Sequence, residues 1–189
     1  MNSRVTIYPA GSSDAQTIAS MWGETSEWLA ARGIDQWQYP ASMEKIARDI
    51  DRGTAYLVRE QDALIGTITV DESADAEFWR PDDLPEDALY GHRIIVLPSA
   101  QGNAVGTALL DWASRKAERL GKSWLRVDAW KTNAALGSYY ERQGFEHVRT
   151  VDLPHRRSGA LYQRRAGVVM GSGPEYLGLE ELVPEDRGF

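Results

Sequence analysis

Ile94-Ile95-Val96-Leu97-Pro98-Ser99-Ala100-Gln101-Gly102-Asn103-Ala104-Val105-Gly106-Thr107 is the stretch whose reading decides the fold. A β-branched apolar segment stops at Pro98, a short turn of small and polar residues follows, and an apolar periodicity begins at Val105. Strand, small-residue turn and helix start in this order form an anion site. The first N–H groups of a helix lack intrahelical partners, and the helix dipole favours negative charge there.

The helix after the turn carries Val105, Ala108, Leu109, Trp112, Ala113, Lys116, Ala117 and Leu120, a 3.6-residue spacing closed by Gly121. Upstream, Arg4 to Tyr8 alternates as a first strand, and Ser12 and Ser13 can cap a helix to about Gly23. A second helical piece covers Ser26 to Arg32. Ser42 caps another helix that Gly53 ends, and Ala55–Val58 and Ala63–Val70 read as a hairpin. Downstream, Trp124–Trp130 is a strand, Asn133 caps a short helix ended by Gly144, and Phe145–Val151 and Gly159–Gln163 make a last strand pair. The order β-α-α-α-β-β-β-α-β-α-β-β predicts an α/β (α+β) domain with a mixed sheet of six or seven strands. The domain is expected to span 1–165, with 166–189 an extended or poorly ordered tail.

Composition narrows the function. The chain has 189 residues, no cysteine and three scattered histidines, so neither a thiol nucleophile nor a metal centre is expected. The first 20 residues lack an apolar signal region and no apolar run approaches membrane length. A cytoplasmic protein without membrane attachment is the expectation. A net charge of −7 argues against nucleic acid. All of that charge is matched by residues 71–90, where eight acids (Asp71, Glu72, Asp75, Glu77, Asp82, Asp83, Glu86, Asp87) face one base, Arg80. Such a segment is either a solvated loop or a rim that attracts a cationic substrate.

Two familiar phosphate motifs do not fit the turn. A nucleotide P-loop requires Lys after its last glycine, where this chain has Thr107. A dinucleotide fingerprint requires three glycines at the first strand of the unit, whereas Gly102 and Gly106 come after several elements. The segment Val96–Gly106 instead resembles the acetyl-CoA signature of the GNAT N-acetyltransferases, [QR]-x-x-[GA]-x-[GA] after a strand ending V-x-P. Asn133, Tyr140 and Gly144-Phe145 resemble the same family's N-x(6)-Y-x-x-x-G-F pattern. Glycine is commonest where this chain has Ala104, and alanine is compatible if φ stays negative.

The resemblance implies a mostly antiparallel sheet flanked by helices and splayed between its fourth and fifth strands. It implies acetyl-CoA as co-substrate, with its pyrophosphate on the backbone of Gly102, Asn103, Ala104, Val105, Gly106 and Thr107, and Gln101 leading in. The backbone of Ile94, Ile95 and Val96 would pair with the pantetheine arm, Val96 N–H would polarise the thioester carbonyl, and Asn133 would bond the pantetheine. Tyr140, not its neighbour Tyr139, would be the general acid. His92, four residues before Val96 and so expected on the same strand face, has the right intrinsic pKa for the base; Glu72, Asp71 and Asp128 are rivals.

The stretch Trp28-Leu29-x-x-x-Gly33-x-x-Gln36-Trp37 is similar to a pattern of one bacterial GNAT subgroup. Trp28, Trp37, Trp79 and Asp128 are candidate substrate-binding residues, since aromatic faces beside acids suit an amine. The reading is an N-acetyltransferase acting on a small-molecule primary amine. An acyl-CoA sensor without turnover and a peptide N-acetyltransferase are the alternatives. A homodimer, its tail crossing from Ala166, stays open.

Overall fold

The computed structural model describes residues 4–178. Its strands are β1 (Arg4–Pro9), β2 (Ala55–Glu60), β3 (Ala63–Asp71), β4 (Ala88–Val96), β5 (Trp124–Trp130), β6 (Glu146–Thr150), β7 (Ser158–Arg165) and β8 (Glu175–Gly178). The helices are α1 (Ala15–Ala30), α2 (Met43–Asp51), α3 (Val105–Arg119) and α4 (Ala134–Arg142). The strands form one sheet in the order β6-β7-β5-β4-β3-β2-β1-β8. Among the described residues only β4/β5 and β1/β8 are parallel pairs.

Alternation along the strands divides the core. Tyr56, Val58, Leu89, Leu125 and Val127 pack under α3, with Trp112 edge-on to Tyr56 at 4.7 Å. Leu57, Ile95 and Leu97 face the other way, beneath Ile18, Trp22 and Ile46 of α1 and α2. On that second face a separate cluster forms around Phe78, Trp79, Tyr90 and Leu161. The gap between these two clusters lies where β4 and β5 part.

That parting is visible in the register. β4 and β5 pair from Ala88↔Trp124 through Gly91↔Val127 and no further. At this point β4 also changes register against β3, with Thr69 opposite His92 but Thr67 opposite Ile95. The extra residue is a β-bulge, and Arg93 within it has φ 43°. The Arg93 guanidinium is tied to Asp49 of α2 and donates to Thr69 Oγ1 at 3.0 Å.

Several expectations change. The helices expected at 12–23 and 26–32 are one, α1, because Ile18, Met21, Trp22, Thr25 and Leu29 form an unbroken buried stripe through Gly23. The sheet has eight strands: residues 175–178, read as tail beyond 165, pair with β1, and Asp111 on α3 accepts from the Met170 and Gly171 amides. The acidic connection after β3 is not a free rim. Phe78 and Trp79 are buried, and Asp71, Glu72, Asp75, Glu77 and Asp83 each pair with a cation or histidine.

Two glycines test this account. A Cβ on Gly66, which pairs with Val96 just past the bulge, would stand 2.4 Å from the Ile95 carbonyl oxygen, while one on Gly23 meets nothing within 4 Å. Gly66→Ala is expected to destabilise by about 1–3 kcal/mol, and Gly23→Ala to stabilise by about 0.5–1 kcal/mol. Thermal unfolding of the two variants checks the opposite signs.

Candidate active site

The turn after β4 has the features of an anion cradle. Among the described residues, the N–H groups of 102–106 have no backbone partner; the first bonds are Thr107 N and Ala108 N to Ala104 O, at 3.1 and 3.3 Å. Ala104 departs from the expectation of negative φ: it sits at φ 53°, ψ 25°, ahead of α3. The left-handed conformation costs alanine about 1–2 kcal/mol, and it turns successive amides toward one side. Gly106 has a steric reason. A Cβ there would stand 2.5 Å from Tyr139 Oη, whose hydroxyl bonds Thr107 behind the turn.

Beyond Gly91 the edge of β4 facing β5 is open. Leu97 N donates to Ile65 O on the β3 side, so by alternation the peptide groups of Ile94 and Val96 face the gap and those of Ile95 face β3. Gln101 Nε2 donates to Val96 O at 3.2 Å, linking the turn to this edge. Of the expected backbone trio, Ile94 and Val96 turn their peptide groups to the gap, the Val96 carbonyl being taken by Gln101; Ile95 does not.

A cavity of about 700 Å³ opens beside this edge, lined by His92, Asp128, Ile94, Tyr140, Trp37 and Trp130 among others. A second hollow of about 770 Å³, between α3 and β8, holds none of the expected catalytic or substrate residues. His92 is not on the face of Ile94 and Val96, as the strand parity suggested. The bulge intervenes, so His92 stacks against Tyr90 while Ile94 and Val96 pack toward α3. This rotation places His92 between two carboxylates. Its Nε2 lies 3.3 Å from Asp71 Oδ1, and its Nδ1 3.9 Å from Asp128 Oδ1.

The three groups shift one another. Burial pushes His92 down, but the hydrogen bond to Asp71 and the charges of Asp71 and Asp128 outweigh it, and the imidazole is raised above 6.5. Asp71 is pushed up by burial and pulled lower still by His92, ending below the usual carboxylate range. Asp128 is raised, chiefly by burial, against the opposing pull of His92.

Tyr140 lines the cavity and is buried, its ring among Tyr139, Phe145 and Tyr162 at 5.5–5.7 Å. Burial and the neighbouring acidic groups raise its pKa far above that of a free phenol, so it keeps its proton. Tyr139 faces the turn instead.

The aromatic wall is partly the expected one. Trp37 lines the cavity, stacked on Trp22 at 4.6 Å; Tyr39 bridges Trp22 and Trp130 at 5.6 and 6.2 Å. Trp37 has φ 61°, a strained conformation for a large side chain. It is held by Ser26 Oγ donating to its carbonyl, and by Gln38 Nε2 donating to Ser26 O and Gln36 O. Trp130 Nε1 and Thr132 Oγ1 both donate to Asp35.

Other expected residues sit elsewhere. Trp28 lies under the Arg32 guanidinium, 3.7 Å from its ring centre, and does not line the cavity. Trp79 is 3% exposed, packed on Tyr90 and capped by Arg126; it supports the Tyr90–His92 stack from behind. Asn133 caps α4 by accepting from Leu136 N, and its Nδ2 donates to Gln36 Oε1 at 2.9 Å. Both ends of that amide are engaged within the protein. Among the described residues no cluster of three or more His, Asp or Glu has metal-binding geometry.

The family assignment rests on this middle of the chain. Residues 51–147 match the family model described as "Acetyltransferase (GNAT) domain". The chain belongs to the GNAT acetyltransferase family. A curated relative, the "Uncharacterized N-acetyltransferase YesJ" of Bacillus subtilis, is 28% identical over 146 residues, which are 74% of this chain and 81% of that protein. A GNAT acetyltransferase from Listeria monocytogenes superposes with a TM-score of 0.71, at 23% identity over 84% of this chain and 93% of its own. The PaiA N-acetyltransferase of Thermoplasma acidophilum, solved with coenzyme A, superposes at 0.64, with 17% identity over 85% of this chain and 98% of its own. The GNAT sheet with its splay is therefore present, and membership makes the chain an acetyl-CoA-dependent acyltransferase by class. No helix among the described residues is long and apolar enough to cross a membrane.

The titration of His92 tests the geometry. Because its folded pKa is raised, the stability it contributes is fully present below about 6.5 and is lost as pH rises through the folded value. NMR titration of the His92 ring is expected to show a midpoint above 6.5. In Asp71→Asn the midpoint should move down, since burial then opposes the charge with one carboxylate fewer.

Proposed function

We propose that this GNAT protein transfers the acetyl group of acetyl-CoA directly to a small-molecule primary amine, with His92 as base and Tyr140 as acid. The observation that carries the reading is that both side chains line one cavity at the point where β4 leaves β5. The unpartnered amides of 102–106 suit the pyrophosphate, and the open β4 edge at Ile94 and Val96 suits the pantetheine amides. Asn133 serves as a positioning residue through Gln36 and the α4 cap rather than by direct contact.

The chemistry follows from the donor set. An ammonium entering the cavity meets Asp128 and His92 on its lining, with Asp71 bonded to the imidazole. The carboxylates attract it, and the neutral imidazole takes its proton. The freed amine attacks the thioester carbonyl, and the Val96 N–H, aimed into the gap, stabilises the oxyanion. The carbon–sulfur bond breaks, the Tyr140 hydroxyl gives its proton to the leaving thiolate, and the surplus proton on the acylated nitrogen passes to the Tyr140 oxygen, which leaves a neutral amide, free CoA and the phenol restored. Asp71 and Asp128 hold the imidazolium until it releases the proton to solvent. No covalent acyl-enzyme is needed.

Two features favour a small acceptor. The loop carrying Trp37 and Tyr39 is stapled across to β5 and α4 through Asp35 and Gln36, which closes that side of the cavity. The opposite side is held by the 72–87 connection through Arg149 and Arg156. A peptide groove would need one of these sides open.

Steady-state release of free CoA with a panel of amines tests the proposal. His92→Ala is expected to lower kcat by about 10²-fold or more, and Tyr140→Phe by a similar factor. The limb of kcat/KM that rises with pH should disappear in His92→Ala and persist in Tyr140→Phe. A full-rate His92→Ala enzyme with an unchanged pH profile would exclude the base, and acetyl-CoA binding without turnover of any amine would favour the sensor.

A further inference from the structure

The cavity wall carries more cations than the mechanism uses. Lys45, Arg93, Arg156 and Arg157 line it, with His155 at its edge. Most are committed. Arg93 is tied to Asp49 and Thr69, and Arg156 spans Asp75 and Glu77, which also takes His155. Lys45 and Arg157 are different. Both are exposed, and neither side chain has an ion pair or hydrogen bond among the described residues. They come from different elements, Lys45 from the first turn of α2 and Arg157 from the segment leading into β7.

Most acids near this mouth are paired, and Asp35, which accepts from Trp130 and Thr132, also feels the charge of Arg157. Asp75 and Glu77 are neutralised by Arg156 and His155, and Asp71 and Asp128 face His92 deeper in. The cavity is therefore polarised: a half-buried carboxylate–imidazole centre within, two cations without an ion pair at the exposed rim, and an aromatic wall of Trp22, Trp37, Tyr39 and Trp130 between helix α1 and strand β5.

We propose that the acceptor is an amine whose apolar, ring-sized body also carries an anionic group, a carboxylate or phosphate, which Lys45 and Arg157 bind at the rim while the amine meets His92. The inference rests on the proposed acetyl transfer for the amine end only; the anion end is testable without turnover. An arginine fork and a lysine point charge together suit either oxyanion. The acceptor's two charges are sorted by the cavity's own two ends, so orientation is fixed before the bond forms.

Trp22, Trp37 and Trp130 report occupancy by fluorescence. Three probes of matched size, 4-methylbenzoate, 4-methylphenyl phosphate and 4-methylbenzamide, are titrated into the protein. At least one anion is expected to bind about ten-fold or more tighter than the neutral amide. That preference should collapse toward unity in Lys45→Ala/Arg157→Ala and return in Lys45→Arg/Arg157→Lys. The anion that wins identifies the carboxylate or the phosphate source. In turnover, kcat/KM for 4-(aminomethyl)benzoate should exceed that for 4-(aminomethyl)benzamide by a similar factor. Equal binding of anions and amide, or a preference unmoved in the double alanine variant, would overturn the proposal. Anion binding that depends on Lys45 and Arg157 with no amine acetylated would uphold the rim and contradict the acetyl transfer instead.

Discussion

The bulge at Arg93 is the constraint on which the site depends. One extra residue in β4 breaks the ladder to β3 between Thr67 and Thr69 and ends the pairing with β5 at Gly91. Unpaired strand edges are costly in a protein interior, so this opening persists only because something holds it. Asp49 and Thr69 hold the bulged Arg93, and Gly66 leaves room for the Ile95 carbonyl on the β3 side. From this single irregularity follow the open edge at Ile94 and Val96, the rotation of His92 away from their face, and its placement between Asp71 and Asp128.

A second set of constraints surrounds the opening. The strained Trp37, the left-handed Ala104 and the bulged Arg93 are all non-glycine residues at positive φ, and all border the cavity or the turn. Such strain persists where neighbouring contacts over-determine it. Here Ser26 and Gln38 fix the Trp37 loop, and two helical amides fix Ala104. The 169–178 segment adds to this from behind: Asp111 holds its amides, and Gly173 lies so close that a Cβ would stand 2.8 Å from Ala104 O. The buried Arg164, bonded to Gln143 O and Leu110 O, joins α3 and α4 beneath the same region.

What the sequence disclosed and what it concealed divide along physical lines. The turn and α3 were legible because they depend on local spacing, and the caps Ser42 and Asn133 formed as local chemistry requires. The bulge was not legible, since nothing in His92-Arg93-Ile94 announces an extra residue; the parity argument for His92 failed there. Trp28 and Trp79 were misplaced because an aromatic near a loop looks the same whether it faces ligand, an arginine or a core. The acidic run could be read only as a solvated loop or a rim, because its partners, Arg149 and Arg156, lie more than 60 positions away. Trp22 and Trp130 were visible as tryptophans, but their join through Tyr39 depends on tertiary packing. Strand β8 escaped because four residues carry too little pattern to stand out in a glycine-rich segment.

The central claim is that the unpaired end of β4 and the turn after it form one continuous acetyl-CoA surface. Amide hydrogen exchange, read residue by residue with and without acetyl-CoA, measures this directly. The amides of Ile94, Val96 and 102–106 are expected to gain protection together, while Ala88–Gly91, already paired with β5, change little. Protection confined to the hollow between α3 and β8, or to the turn alone with Ile94 and Val96 unaffected, would contradict the account.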